Sequence, residues 1–132
     1  MADTTAVLDR LVFDFGFDIV DVVPALLKVL VERQYKTVAA GQSVSVTIYL
    51  IDNMTTPGRS YPFTAPIPPE VQFYTPLDIS LGSAVSMRQS GDGIYSYEIT
   101  APATVGTYAA IFTCTNGLAE MVTKKHSVFT VI

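Results

Sequence analysis

The sequence predicts a mainly β protein, an antiparallel sandwich of about seven strands preceded by an N-terminal strand and short helix. Three observations carry this. Ser90-Gly91-Asp92-Gly93 reads as a tight turn opening a strand in which Tyr95, Tyr97 and Ile99 share one face. Pro102 to Gly106 marks a corner, after which Tyr108, Ala110, Phe112 and Cys114 alternate along a second strand. Asn116-Gly117 then gives a hairpin signal, because both residues tolerate positive φ.

Residues 1–38 read as an N-terminal extension or docking arm, and residues 39–132 as the sandwich domain. In the extension, Phe13, Phe15, Phe17 and Ile19 alternate with Asp14, Gly16 and Asp18, the period of two expected of a half-buried strand. Beyond Asp21 the period changes. Val23, Leu26, Leu27, Leu30 and Val31 fall at helical spacing, with Asp21 as N-cap and Pro24 in the first turn, so a short helix is expected from Val22 to Arg33. A strand over Val29–Val38 competes, since Val29, Val31 and Tyr35 also fit a period of two.

Val44, Val46, Ile48 and Leu50 then alternate with polar residues along a strand that ends at Asp52-Asn53. Five of the eight prolines lie between Thr55 and Glu70, which excludes a central strand there. Tyr61, Phe63 and Ile67 make this stretch unusually apolar; it reads either as a contact loop or as a cap folded over one end of the sandwich. From Glu70 to Leu81 the residues Val71, Phe73, Thr75, Leu77, Ile79 and Leu81 alternate as one run, in which Pro76 marks an edge or a bulge. Val85–Gln89 reads as a further short strand, and Met121–Ile132 as the last.

Composition bounds the function. The chain has 132 residues, enough for one core, with 15% charged residues and a formal charge of −4. So low a charge content fits either surface buried on a partner or a dense core behind a bland surface. Basic residues are scattered and Lys124-Lys125 is the sole adjacent pair, so no nucleic-acid partner is expected. Cys114 is the single cysteine, which excludes an internal disulfide. The apolar tract from Ile19 to Val31 is interrupted by Asp21, Pro24 and Lys28 and is shorter than the ~20 residues that span a bilayer, so no membrane association is expected. The first residues, Met-Ala-Asp-Thr-Thr, do not read as a signal peptide.

From about Gly41 to Ile132 the chain resembles immunoglobulin-like β-sandwich domains of the bacterial or viral surface type, in the broad group that includes filamin-like repeats. Gly91-Asp92-Gly93-Ile94-Tyr95-Ser96-Tyr97 and Val105-Gly106-Thr107-Tyr108 carry the resemblance. It implies that Tyr108 forms a tyrosine corner, its hydroxyl bonding to the preceding turn. Two residues on, where antibody domains place a cysteine, this chain has Ala110, and it contains no tryptophan, so an antibody-type domain is not expected. The resemblance is nearly silent on function.

Catalytic chemistry finds little support. His126, the single histidine, sits beside Lys124 and Lys125 with no serine in a nucleophile-elbow context, and reads as a surface residue. Cys114 falls in the alternation of a core strand and reads as a small buried hydrophobe. Asp14, Asp18 and Asp21 read as solvated charge rather than a glycosidase pair. Asp52, Asn53 and Asp92 are explained as turn formers, although such oxygen ligands also suit calcium. Gly91-Asp92-Gly93 precedes a strand, not the helix a phosphate loop needs. No enzyme activity, cofactor or metal is expected.

The expectation is a structural or interaction protein with protein partners, as a homo-oligomer or within a larger assembly. Single sandwich domains with added arms resemble accessory components of phage virions: capsid decoration, head-fibre or tail-associated proteins. The virion is the location this implies. The alternative is an adhesion or binding module of a bacterial cell surface. Candidate interaction residues are Phe13, Phe15, Phe17 and Ile19 of the arm and Tyr61, Phe63 and Ile67 of the proline-rich stretch.

Overall fold

Thirteen strand segments and no helix make up the described part of the chain. The computed structural model describes residues 17–20, 22–23, 27–32, 36–52, 61–62, 64–65, 67–115 and 120–132. In chain order the strands are β1 (Phe17–Val20), β2 (Val22–Val23), β3 (Leu27–Glu32), β4 (Thr37–Val38), β5 (Ser43–Asp52), β6 (Tyr61–Pro62) and β7 (Glu70–Tyr74). They continue with β8 (Ser80–Ser86), β9 (Arg88–Gly91), β10 (Ile94–Thr100), β11 (Gly106–Thr115), β12 (Glu120–Thr123) and β13 (His126–Val131).

Two sheets, antiparallel in all but one pairing, form a sandwich-like pair of layers. The first runs β1-β3-β5-β10-β9, with β6 also on β5. The second runs β2-β12-β11-β13-β4, with β7 on the other edge of β11 and β8 outside β7. The exception is β4, which lies parallel to β13, Thr37 against Thr130 and Val38 against Val131.

The helix expected from Val22 to Arg33 is not formed. Val22–Val23 pairs with β12 and Leu27–Glu32 pairs along β5 from Asp52 to Ile48. Both parities of β3 are buried: Val29 and Val31 join the inter-sheet core, while Leu30, facing the other way beside Tyr49, is equally inaccessible. A strand covered on both faces carries a continuous apolar run, and such a run contains helical spacing by coincidence.

Elsewhere alternation fixes the core. Val44, Val46, Ile48 and Leu50 of β5 and Tyr95 of β10 face inward from the first sheet. Val71 and Phe73 of β7, Tyr108, Ala110, Phe112 and Cys114 of β11, and Phe129 and Val131 of β13 meet them from the second. Phe73 lies at the aromatic centre, its ring 5.9 Å from Tyr97 across the sheets and 6.4 Å from Phe129. Tyr108 stacks on Phe129 at 5.0 Å. An extra residue in β13, Val128, shifts the register between Tyr108 and Ala109, so that Val128 and Phe129 are both buried.

The run expected from Glu70 to Leu81 is two strands. Thr75-Pro76-Leu77-Asp78 is a tight turn, with the Asp78 amide donating to the Thr75 carbonyl at 2.8 Å. Pro76 takes the second turn position, which its fixed φ suits. The expected Val85–Gln89 strand is likewise divided, Ser86 ending β8 and Arg88 starting β9 in the other sheet, with buried Met87 at the crossing. Met121–Ile132 also breaks, at Lys124-Lys125, into β12 and β13. There the Thr123 hydroxyl accepts the Phe112 amide at 3.0 Å, supplying a bond the interrupted ladder leaves unmade. The β11–β12 pairing, Thr115 against Glu120, forms the hairpin read from Asn116-Gly117, residues that themselves lie outside the described ones.

The outer edge of β8 is blunted. Gly82 to Ala84 stand opposite Gln72 alone, a bulge with Gly82 at φ +70°, and the Gln72 side chain donates to the Gly82 carbonyl at 2.8 Å. Bulges of this kind protect sheet edges from pairing with other chains.

Candidate interaction surfaces

Three large aliphatic residues project from the end of the second sheet. Leu77 is 78% exposed, Ile79 60% and Val105 66%. They are brought together by a contact between turns: Pro76 packs so closely on Gly106 that a Cβ there would come within 2.6 Å of the Pro76 ring. Leu77 and Val105 are the chain neighbours of that contact. Gly106 pairs with Val131, which brings exposed Ile132 to the same end.

The turn that carries Leu77 and Ile79 is held at several points. The Thr75 amide donates to the Ile79 carbonyl at 2.8 Å, and the Ile79 amide to the Thr75 hydroxyl at 3.2 Å. Asp78 adopts φ +65°, a left-handed conformation that is uncommon outside glycine, and its carboxylate pairs with Lys125. Lys125 in turn lies over the Tyr74 ring, 4.0 Å from its centroid. The charges bordering the aliphatic surface are thus neutralised in place, and the exposed side chains sit on a rigid turn. These residues lie outside the interaction set that the sequence suggests, because Leu77 and Ile79 continue the inward alternation of β7. The turn signal Thr-Pro-Leu-Asp was the feature that would have separated them.

Of the residues expected to interact, Phe13, Phe15 and Phe63 lie outside the described residues. Phe17 and Ile19 lie in β1, which pairs with β3, Phe17 against Glu32 and Ile19 against Leu30. Tyr61 pairs with Asp52 through β6. Ile67 is exposed, whereas Ala65 and Pro69 of the same stretch are buried. The Ala65 amide donates to the hydroxyl of buried Tyr95 at 2.8 Å, which ties this stretch to the core. Tyr108, also buried, donates its hydroxyl to the Thr104 carbonyl at 2.7 Å.

The residues weighed for chemistry are dispersed. Cys114 is buried, and burial pushes its thiol up to about 12, so it carries no thiolate at neutral pH. His126 is half-buried at the start of β13, paired with Ala110. Asp92 occupies the turn between β9 and β10, followed by Gly93 at φ +71°. Asp52 ends β5, and Asn53 lies outside the described residues. No group of three metal-ligating side chains occurs among the described residues.

Comparison with protein-family models gave no match, and comparison with curated protein sequences gave none either.

Proposed function

We propose that this chain is a non-enzymatic structural and interaction protein, an immunoglobulin-like domain that docks onto a larger protein assembly through its aliphatic end. The exposed cluster of Leu77, Ile79 and Val105 on a pinned turn carries the reading. Aliphatic side chains held rigidly in water lose little freedom on meeting a partner and gain the burial of their surface. The immunoglobulin-like assignment draws support from strand order. Sheet neighbours β5, β10 and β9 oppose β4, β13, β11, β7 and β8, with β4 parallel to β13, and the Tyr108–Thr104 bond has the form of a tyrosine corner.

The assembly we favour is a phage virion, with this chain as a decoration, head-fibre or tail-associated part; the support is analogy with other single sandwich domains. Size-exclusion chromatography with light scattering tests the docking surface. The wild type should self-associate, and Leu77→Glu with Ile79→Glu should be monomeric at an unchanged melting temperature. A wild type that stays monomeric at every concentration, and is not retained by intact particles, would sink the proposal. The second reading, a surface-binding module, draws on an open hollow on the outward face of the first sheet, whose lining includes Arg88 and Glu98.

A further inference from the structure

The alternation that buries Val44, Val46 and Tyr95 turns Ser45, Thr47, Ser96 and Glu98 to the outward face of the first sheet. Register aligns them: Glu98 lies opposite Ser45, and Ser96 lies between Thr47 and Arg88. The Ser96 hydroxyl stands 3.1 Å from that of Thr47 and 3.2 Å from that of Ser90, so hydroxyls connect across three strands. The chain's crossing from β8 to β9 brings Ser86 and Arg88 alongside. The result is an open hollow of about 550 Å³ lined by Ser45, Ser86, Arg88, Ser90, Ser96 and Glu98, with Tyr97 at its side.

Two charged groups face this hollow without neutralising each other. Among the described residues the Arg88 guanidinium makes no hydrogen bond or ion pair, and the Glu98 carboxylate accepts only from the Ser43 hydroxyl. Arginine supplies only donors and a carboxylate only acceptors. A free anion would meet Glu98 and a free cation would meet Arg88. An apolar ligand would cover the serine hydroxyls and leave them unpaired, at a cost in affinity. A ligand without net charge that presents adjacent hydroxyls, each able to donate and accept, satisfies the guanidinium, the carboxylate and the serine hydroxyls together.

We propose that this hollow binds a neutral saccharide through vicinal hydroxyls, Arg88 donating to them and Glu98 accepting from them. Ser45, Ser90 and Ser96 complete the hydrogen bonding from the floor. The inference is independent of docking through Leu77 and Ile79, which lie in a turn of the other sheet.

The test is a ¹⁵N-resolved NMR titration of the whole chain with the methyl glycosides of glucose, galactose, mannose and N-acetylglucosamine, and with inorganic sulfate. At least one glycoside should give saturable shifts confined to residues 45, 86–90 and 96–98. Arg88→Ala and Glu98→Gln should each weaken that binding about tenfold, the loss of one charge-assisted hydrogen bond, while melting as the wild type does. Both side chains are exposed, so the fold does not depend on them. Three results would overturn the proposal: no shift with any glycoside, shifts with sulfate alone, or glycoside binding that survives both substitutions.

Discussion

Gly106 and Pro76 touch where no other residue could stand in for the glycine. Gly106 adopts φ +138°, and a Cβ on it would lie 2.6 Å from Pro76 Cγ and 2.8 Å from Pro76 Cβ. Gly106→Ala therefore meets both backbone strain and a clash with a rigid ring. It should destabilise the fold by about 1–3 kcal/mol in denaturant unfolding. Pro76→Ala in the same background removes the Cγ contact but keeps the Cβ contact at 2.8 Å and the strain, so it should recover only part of the loss. A variant as stable as the wild type would show that the two turns do not meet.

Two buried tyrosine hydroxyls tie loops to the core, one as donor and one as acceptor. Tyr108→Phe leaves the Thr104 carbonyl without its partner, and Tyr95→Phe leaves the Ala65 amide without its own. Each should cost about 1–2 kcal/mol. Amide exchange separates them: Tyr95→Phe should speed exchange at Ala65, and Tyr108→Phe should leave it unchanged.

Leu30 distinguishes a detachable arm from an integral strand. Its side chain is wholly buried on the face of β3 opposite the inter-sheet core. Leu30→Ala should cost about 2–5 kcal/mol, as for other fully buried leucines. A melting temperature indistinguishable from the wild type would mean that β3 contributes nothing to the folded domain.

Alkaline pH should weaken the protein through Cys114. Its thiol is raised from an ordinary value of 9.0 to about 12 by burial. Below about pH 9 the thiol is neutral folded and unfolded, and its contribution is complete. As pH climbs from there toward about 12, the unfolded chain ionises first, and stability falls through that window. Tyr49, raised by desolvation and then by Asp92, adds to the loss above pH 10.0. Cys114→Ala should flatten the early part of the decline. In native buffer the thiol should resist alkylation and should react once denaturant is added.

The parts of the fold legible in the sequence are those in which one face is buried and one is wet. Tyr95 and Tyr108 find their places because β10 and β11 alternate, and the Asp92-Gly93 turn follows from residue chemistry alone. Where that condition fails, so does the reading. Leu30 is buried with its neighbours Val29 and Val31, which erases the period of two and leaves spacing that a helix also satisfies. Leu77 and Ile79 mislead in the opposite sense, keeping the alternation of β7 through a turn where both point into solvent. The hollow beside Arg88 was illegible for another reason: Ser45, Arg88 and Glu98 are distant in sequence, and only strand register makes them neighbours.

The parallel pairing of β4 with β13 sets how late in synthesis the second sheet can close. The strands of the first sheet are all translated before Ala101, but much of their apolar side waits for partners that follow. In the opposing layer β11, β12 and β13 follow Ala101 in the chain, and Val38 cannot meet Val131 until β13 is made. A nascent chain stalled near Pro102 therefore leaves Val44, Val46, Ile48 and Tyr95 without the β11 and β13 side chains that cover them, a surface that invites chaperones. Completion of β13, rather than any local turn, is what lets β4 and β13 join the second sheet.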